Sequence, residues 1–155
     1  MFAAEINYKY KSIDMKKLVF LITVLFLGVN IYAQSGKLDI TVTGINVEKG
    51  GNVRVGVYKA EGFPTVGKEI YGKDVEVNEG TISVSFEDVA IGAYAIAVFQ
   101  DKDADGKLDS NLFGAPTEPY GFSNNVYGRF GPPDFEDVSF KVENGEIVSK
   151  KINLE

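Results

Sequence analysis

Residues 101–109 read Asp-Lys-Asp-Ala-Asp-Gly-Lys-Leu-Asp, which puts carboxylates at loop positions 1, 3, 5 and 9, a glycine at 6 and an apolar residue at 8. This spacing reproduces the front of a calcium loop. A hard cation takes about six to eight oxygens, and a tightly wound backbone turns alternate carboxylates toward it. Gly106 permits the sharp turn, Lys107 lends its backbone carbonyl, and Leu108 anchors the loop to the core. The expected ligands are Asp101, Asp103, Asp105, Lys107 and Asp109. The expected ion is Ca2+, held with the weak affinity of extracellular modules, roughly 10⁻⁴–10⁻³ M. At position 12, where a helix–loop–helix site carries a bidentate Glu, this chain has Leu112, and the flanks read as strand and loop. The pattern is therefore an EF-like loop on a β scaffold, closed by donors from elsewhere. Asn111, Glu118, Asn124, Asn125 and Asp134 lie in the same stretch. A solvated acidic turn is the competing reading, because Asp, Lys and Gly are what exposed turns contain.

Composition confines the chemistry to oxygen. The 155 residues include 16 basic and 22 acidic ones, a net charge of −6, with no cysteine, histidine or tryptophan. Without imidazole or thiol there is no Ser-His-Asp triad, no Cys nucleophile, no disulfide and no zinc site of the nitrogen and sulfur type. A chain with pI near 4.8 is a poor match to a phosphate backbone, so no nucleic-acid partner is expected.

Past the acidic loop come rings and amides: Tyr120, Phe122, Asn124, Asn125, Arg129 and Phe130. Aromatics beside amides and an arginine could form a platform for a protein or carbohydrate partner. The alternative is that the rings pin a long loop onto its own domain, since exposed aromatic area is costly.

The elements that must position these residues alternate with a period of two. Leu38, Ile40 and Val42 are followed by Val53, Val55 and Val57, by Ile82, Val84 and Phe86, by Tyr94, Ile96 and Val98, and by Val138, Phe140 and Val142. Such spacing lines one face of a strand. Strands are expected over 37–43, 51–59, 68–77, 80–87, 93–100, 135–142 and 146–154. About seven short strands, apolar on one face, predict an all-β fold: an antiparallel two-sheet sandwich, immunoglobulin-like or prealbumin-like. A long loop separates the fifth and sixth strands, and loops of that length are usually functional or disordered. The Gly92-Ala93-Tyr94 entry into the fifth strand matches a tyrosine corner, in which the phenol hydroxyl returns to an upstream backbone group.

Residues 1–33 read as an address. Met15-Lys16-Lys17, an apolar run over 18–31 and Ala33 before Gln34 have the layout of a secretory signal peptide cleaved after Ala33, with translation starting at Met15 in the simpler reading. The run is shorter than the roughly 20 residues of a membrane span, so none is expected in the mature chain. No cysteine follows, so a lipid anchor is not expected. Removing this segment takes away four basic and two acidic residues, leaving 12 against 20 and a net −8 over residues 34–155, a length suited to one β-sandwich domain.

Phe63-Pro64, Gly92-Ala93-Tyr94, Asp101 to Asp109, Gly121-Phe122-Ser123-Asn124-Asn125 and Phe130-Gly131-Pro132-Pro133 together resemble the bacterial family called domain of unknown function 2141. The resemblance spans about Lys37 to Val142. It implies an exported bacterial domain, and the family carries no established activity to transfer. The expectation is thus a non-enzymatic exported protein, periplasmic or extracellular, stabilised by calcium and binding a partner through the 101–134 loop. Two alternatives stand beside it: a polysaccharide hydrolase using a carboxylate pair such as Glu118 with Asp134, and a structural or assembly subunit joined through edge strands.

Overall fold

Alternating side chains need two sheets to bury them, and the computed structural model, which describes residues 15–16 and 34–155, has two. The leader reading lies outside the described residues except for Met15 and Lys16. Among the described residues, no helix is long and apolar enough to cross a membrane.

The strands are β1 (Ser35–Thr43), β2 (Asn52–Tyr58), β3 (Tyr71–Glu76), β4 (Thr81–Ala90), β5 (Gly92–Asp101), β6 (Tyr120–Phe122), β7 (Phe140–Val142) and β8 (Ile147–Asn153). One sheet has the order β4-β1-β8. The other has the order β3-β2-β5-β6, with β7 also paired to β5. Leu38, Ile40 and Val42 from the first sheet meet Val53, Val55, Val57, Ile96 and Val98 from the second, all buried in one core. The fold is the expected all-β sandwich, with a small strand added.

A single residue, Ile91, carries the chain from β4 in one sheet to β5 in the other. Tyr94 holds this bend as expected: its hydroxyl donates to the Ala90 carbonyl at 2.7 Å, and Lys59 Nζ lies 3.9 Å from the ring centroid. Burial pushes the Tyr94 phenol pKa up.

Two details differ from the sequence reading. The β1–β8 ladder is parallel, from Lys37 opposite Ile147 to Thr43 opposite Asn153, whereas the remaining ladders are antiparallel. No hairpin joins β1 to β8, so no turn dictates their relative direction. The expected strand over 135–142 is instead a helical turn, α1 (Phe135–Val138), followed by the three-residue β7. The alternation of Val138 and Val142 misleads because they serve different cores. Val142 packs in the main core, whereas Val138 packs with Ala95, Phe122 and Phe135 on the other side of β5. Phe135 and Val138 are three apart, the spacing of one helical face.

That second cluster covers the outer face of β5. Phe63 makes edge contacts with Phe122 at 5.8 Å, Phe135 at 6.0 Å and Tyr58 at 5.9 Å between centroids. Tyr120 and Tyr127 pair at 5.8 Å. Most rings of the crossing therefore hold it down, and three large apolar side chains, Leu112, Phe113 and Phe130, stay exposed.

Candidate functional site

β5 ends on Asp101, and the fold buries this carboxylate to 1% exposure. Its Oδ2 accepts the Gly106 N–H at 2.9 Å and faces Arg54 Nη1 at 3.6 Å. Its Oδ1 is buried with no hydrogen-bond partner among the described residues. A buried carboxylate oxygen left unpaired is costly, so this atom is where the site asks for a partner.

The loop winds as its spacing requires. Asp103 Oδ1 accepts the Asp105 N–H at 3.3 Å, and Asp105 Oδ1 accepts the Lys107 N–H at 2.8 Å. Gly106, at φ 84°, leaves room for the guanidinium: a Cβ there would stand 2.6 Å from Arg54 Nη1. Lys107 sits on the outer side with its ammonium 3.6 Å from Asp105 Oδ2.

The chain then doubles back. Ser110 bridges Pro116, and the Thr117 N–H donates to the Asp109 carbonyl at 2.8 Å, which brings Glu118 under the loop. Glu118 is 3% exposed. Its Oε1 accepts the Lys102 N–H at 2.8 Å and its Oε2 the Asp109 N–H at 3.1 Å.

Carboxylate oxygens of Asp101, Asp103 and Asp105 lie within 4.8 Å of one another, as do those of Asp103, Asp109 and Glu118. The two groups share Asp103. Every Asp of the expected set is thus gathered, and Glu118 joins them from outside the nine-residue motif. Nothing local distinguished Glu118 from the other oxygen donors of the crossing. Asn111 instead accepts the Phe113 and Ala115 N–H groups and closes its own turn. Asp134 belongs to neither group. With both oxygens accepting backbone N–H bonds, Glu118 has the contacts of a brace.

Beside this loop, the outer face of the larger sheet is a trough. Gly72, Gly56 and Ala97 sit opposite one another on β3, β2 and β5, a row with almost no side chains. The Tyr58 ring fills the space a Cβ on Gly56 would need, 2.6 Å away. The 108–116 half of the crossing and residues 128–132 wall the trough, giving a groove of about 1170 Å³. Arg54 lies on its floor, its Nε 3.2 Å from Asp74 Oδ1, so one side chain touches both the acidic loop and the groove.

Tyr58 also sets a pH limit. Burial, reinforced by the Glu69 charge and opposed by Arg54, pushes its phenol pKa up to about 12. Above pH 10 an unfolded chain releases a proton that the folded one keeps, so stability falls between pH 10 and about 12. The slope from this group is at most about 1.4 kcal/mol per pH unit. Denaturant midpoints measured across that range should be less pH-dependent in Tyr58→Phe, and an unchanged slope would exclude this source.

The residues nominated for a partner divide in two. Tyr120, Phe122, Arg129 and Phe130 line the groove, Phe122 from within the second cluster. Asn124 and Asn125 are clamps. The Asn124 amide reaches the Asp137 and Ser139 carbonyls at 3.4 Å, and its Oδ1 accepts from Lys150 at 3.0 Å. Asn125 donates to the Lys151 carbonyl at 3.1 Å and accepts the Asn153 N–H at 2.8 Å. Between them and Phe122, Ser123 accepts the Ile96 N–H at 3.0 Å and donates to the Val138 carbonyl at 2.6 Å. The Gly-Phe-Ser-Asn-Asn stretch therefore stitches β5, α1 and β8 together.

A family model described as an uncharacterized protein conserved in bacteria (DUF2141) matches residues 40–150. No curated protein and no solved structure matches the chain.

Proposed function

The chain belongs to that family of uncharacterized bacterial proteins, and from this premise we propose that it is an exported, non-enzymatic β-sandwich whose 101–118 loop holds Ca2+ and whose long crossing binds a partner. The observation that carries the cation is the buried, unpartnered Asp101 Oδ1, in a side chain whose carboxylate groups with Asp103 and Asp105. An oxygen with no donor, beside like charges that repel one another, is what a hard divalent ion relieves. Asp101, Asp103, Asp105 and Asp109 would be its ligands, with Glu118 bracing the loop from below and available on the Asp103 and Asp109 side. Arg54, 3.6 Å from Asp101, supplies partial charge balance at one oxygen only. The ion would fasten the end of β5 to the returning chain and so stiffen one wall of the groove.

The test is thermal unfolding of the chain in calcium and in chelator. At about 10 mM Ca2+, an affinity of roughly 10⁻⁴–10⁻³ M adds about 1.4–2.7 kcal/mol. That amounts to a rise in Tm of roughly 5–10 °C. Asp103→Ala together with Asp105→Ala should flatten the response. A Tm indifferent to calcium and chelator alike would remove the cation from the proposal.

A further inference from the structure

Phe113 and Phe130 are 95% and 94% exposed, yet both stand on the walls of the groove. Every other ring lining it, Tyr58, Phe99, Tyr120 and Phe122, is packed or half-buried. Two bare rings above a floor of small residues, over which lie the Tyr58 ring at Gly56 and the Glu69 stem at Gly72, are a surface built to be covered, because apolar area in water is unfavourable and concave apolar sites with a few polar groups are where ligands bind.

We propose that the groove binds an extended, uncharged oligosaccharide of several pyranose units, whose C–H faces stack on Phe113 and Phe130 over the Gly72–Gly56–Ala97 row. This rests on the reading of the crossing as the partner-binding segment and gives that partner a chemistry. Three observations select the occupant. First, the floor cannot pair with a peptide backbone: β2 is hydrogen-bonded to β3 on one side and β5 on the other, so its N–H and C=O groups are spent. A peptide strand laid there would leave its own backbone groups unmatched, a cost that a saccharide, with hydroxyls free to meet side chains and water, does not carry. Second, the charged groups of the lining other than the exposed Lys73 are engaged within the protein. Arg54 is matched by Asp74 and Asp101, Glu69 accepts the Gly67 N–H, and Arg129 lies 5.4 Å from the Phe130 ring. A chain with a net charge of −6 also repels an anionic polymer. Third, about 1170 Å³ exceeds the roughly 300–1,000 Å³ of sites for single small molecules and fits several rings in a row.

The acidic loop has a place in this. The groove wall runs through Leu108, Ser110 and Pro116, directly between Asp105 and Glu118, so an ion that orders the loop orders the wall.

The experiment is calorimetric titration of the chain with cellohexaose, xylohexaose, maltohexaose and the fully N-acetylated hexamer of chitin in calcium, with polygalacturonate and palmitate, which calcium itself gels or precipitates, as contrasting probes in chelator, and sedimentation to read self-association. At least one hexasaccharide should bind, and Phe113→Ala with Phe130→Ala should weaken it at least tenfold without moving Tm, because neither ring packs in the core. The proposal is overturned if none of the four binds, if the double variant binds as well as the parent, if only polygalacturonate or palmitate binds, or if the two rings mediate self-association instead. In chelator the affinity should fall several-fold. Equal binding in calcium and chelator would uphold the groove while removing the coupling to the ion, so the two readings fail separately.

Discussion

Ser123→Ala is expected to lower Tm by on the order of 10 °C, measured by circular dichroism on the chain. The hydroxyl is fully buried and serves two backbone groups, the Ile96 N–H and the Val138 carbonyl. β6 and β7 share one edge of β5, pairing over 97–99 and 92–94, and Ile96 falls in the gap between them. Alanine would strand a buried donor and a buried acceptor in that gap, at about 2–4 kcal/mol. A fall of less than roughly 2 °C would mean the edge closes without the side chain.

Glu118→Ala should be comparably severe and should also report on the proposed ion. Removing the carboxylate frees the Lys102 and Asp109 N–H groups at once, again about 2–4 kcal/mol. Glu118→Gln keeps the shape and one acceptor, and turns an amide N–H₂ toward the second donor, so about half that loss is expected. The same variants read in calcium separate two roles. If Glu118 is a ligand, alanine loses the calcium-induced rise as well as basal stability. If it only braces the loop, basal stability falls and the calcium increment persists. Full stability in Glu118→Ala would refute both.

Much of the sandwich could be read from alternation alone. Leu38, Ile40 and Val42 face the core in β1 because a strand leaves no other way to bury every second side chain. The same logic failed where one segment served two cores, as at Val138 and Val142, and where a strand was too short to alternate, as in β6. The acidic spacing identified the winding of the loop, since the placing of side chains within a tight loop is a local property. It could not single out Glu118, whose approach depends on the bridge between Ser110 and Pro116. Nor could it tell the clamps from the rings: Asn125 and Phe130 sit five residues apart, one tied to β8 and the other open to water.

By itself, then, the order of residues determined what depends on neighbours along the chain: strand faces, the tyrosine bend at Ala90, the lack of imidazole and thiol, and the winding of Asp101 to Asp109. Only the tertiary structure decided that β8 lies parallel to β1, that the Gly-Phe-Ser-Asn-Asn stretch is a fastening, and that a row of small residues on three strands opens a groove beneath two bare rings. Those outcomes depend on which distant segments share an edge or a face. That is settled when the sheets close around a common core and every buried backbone group has to find a partner.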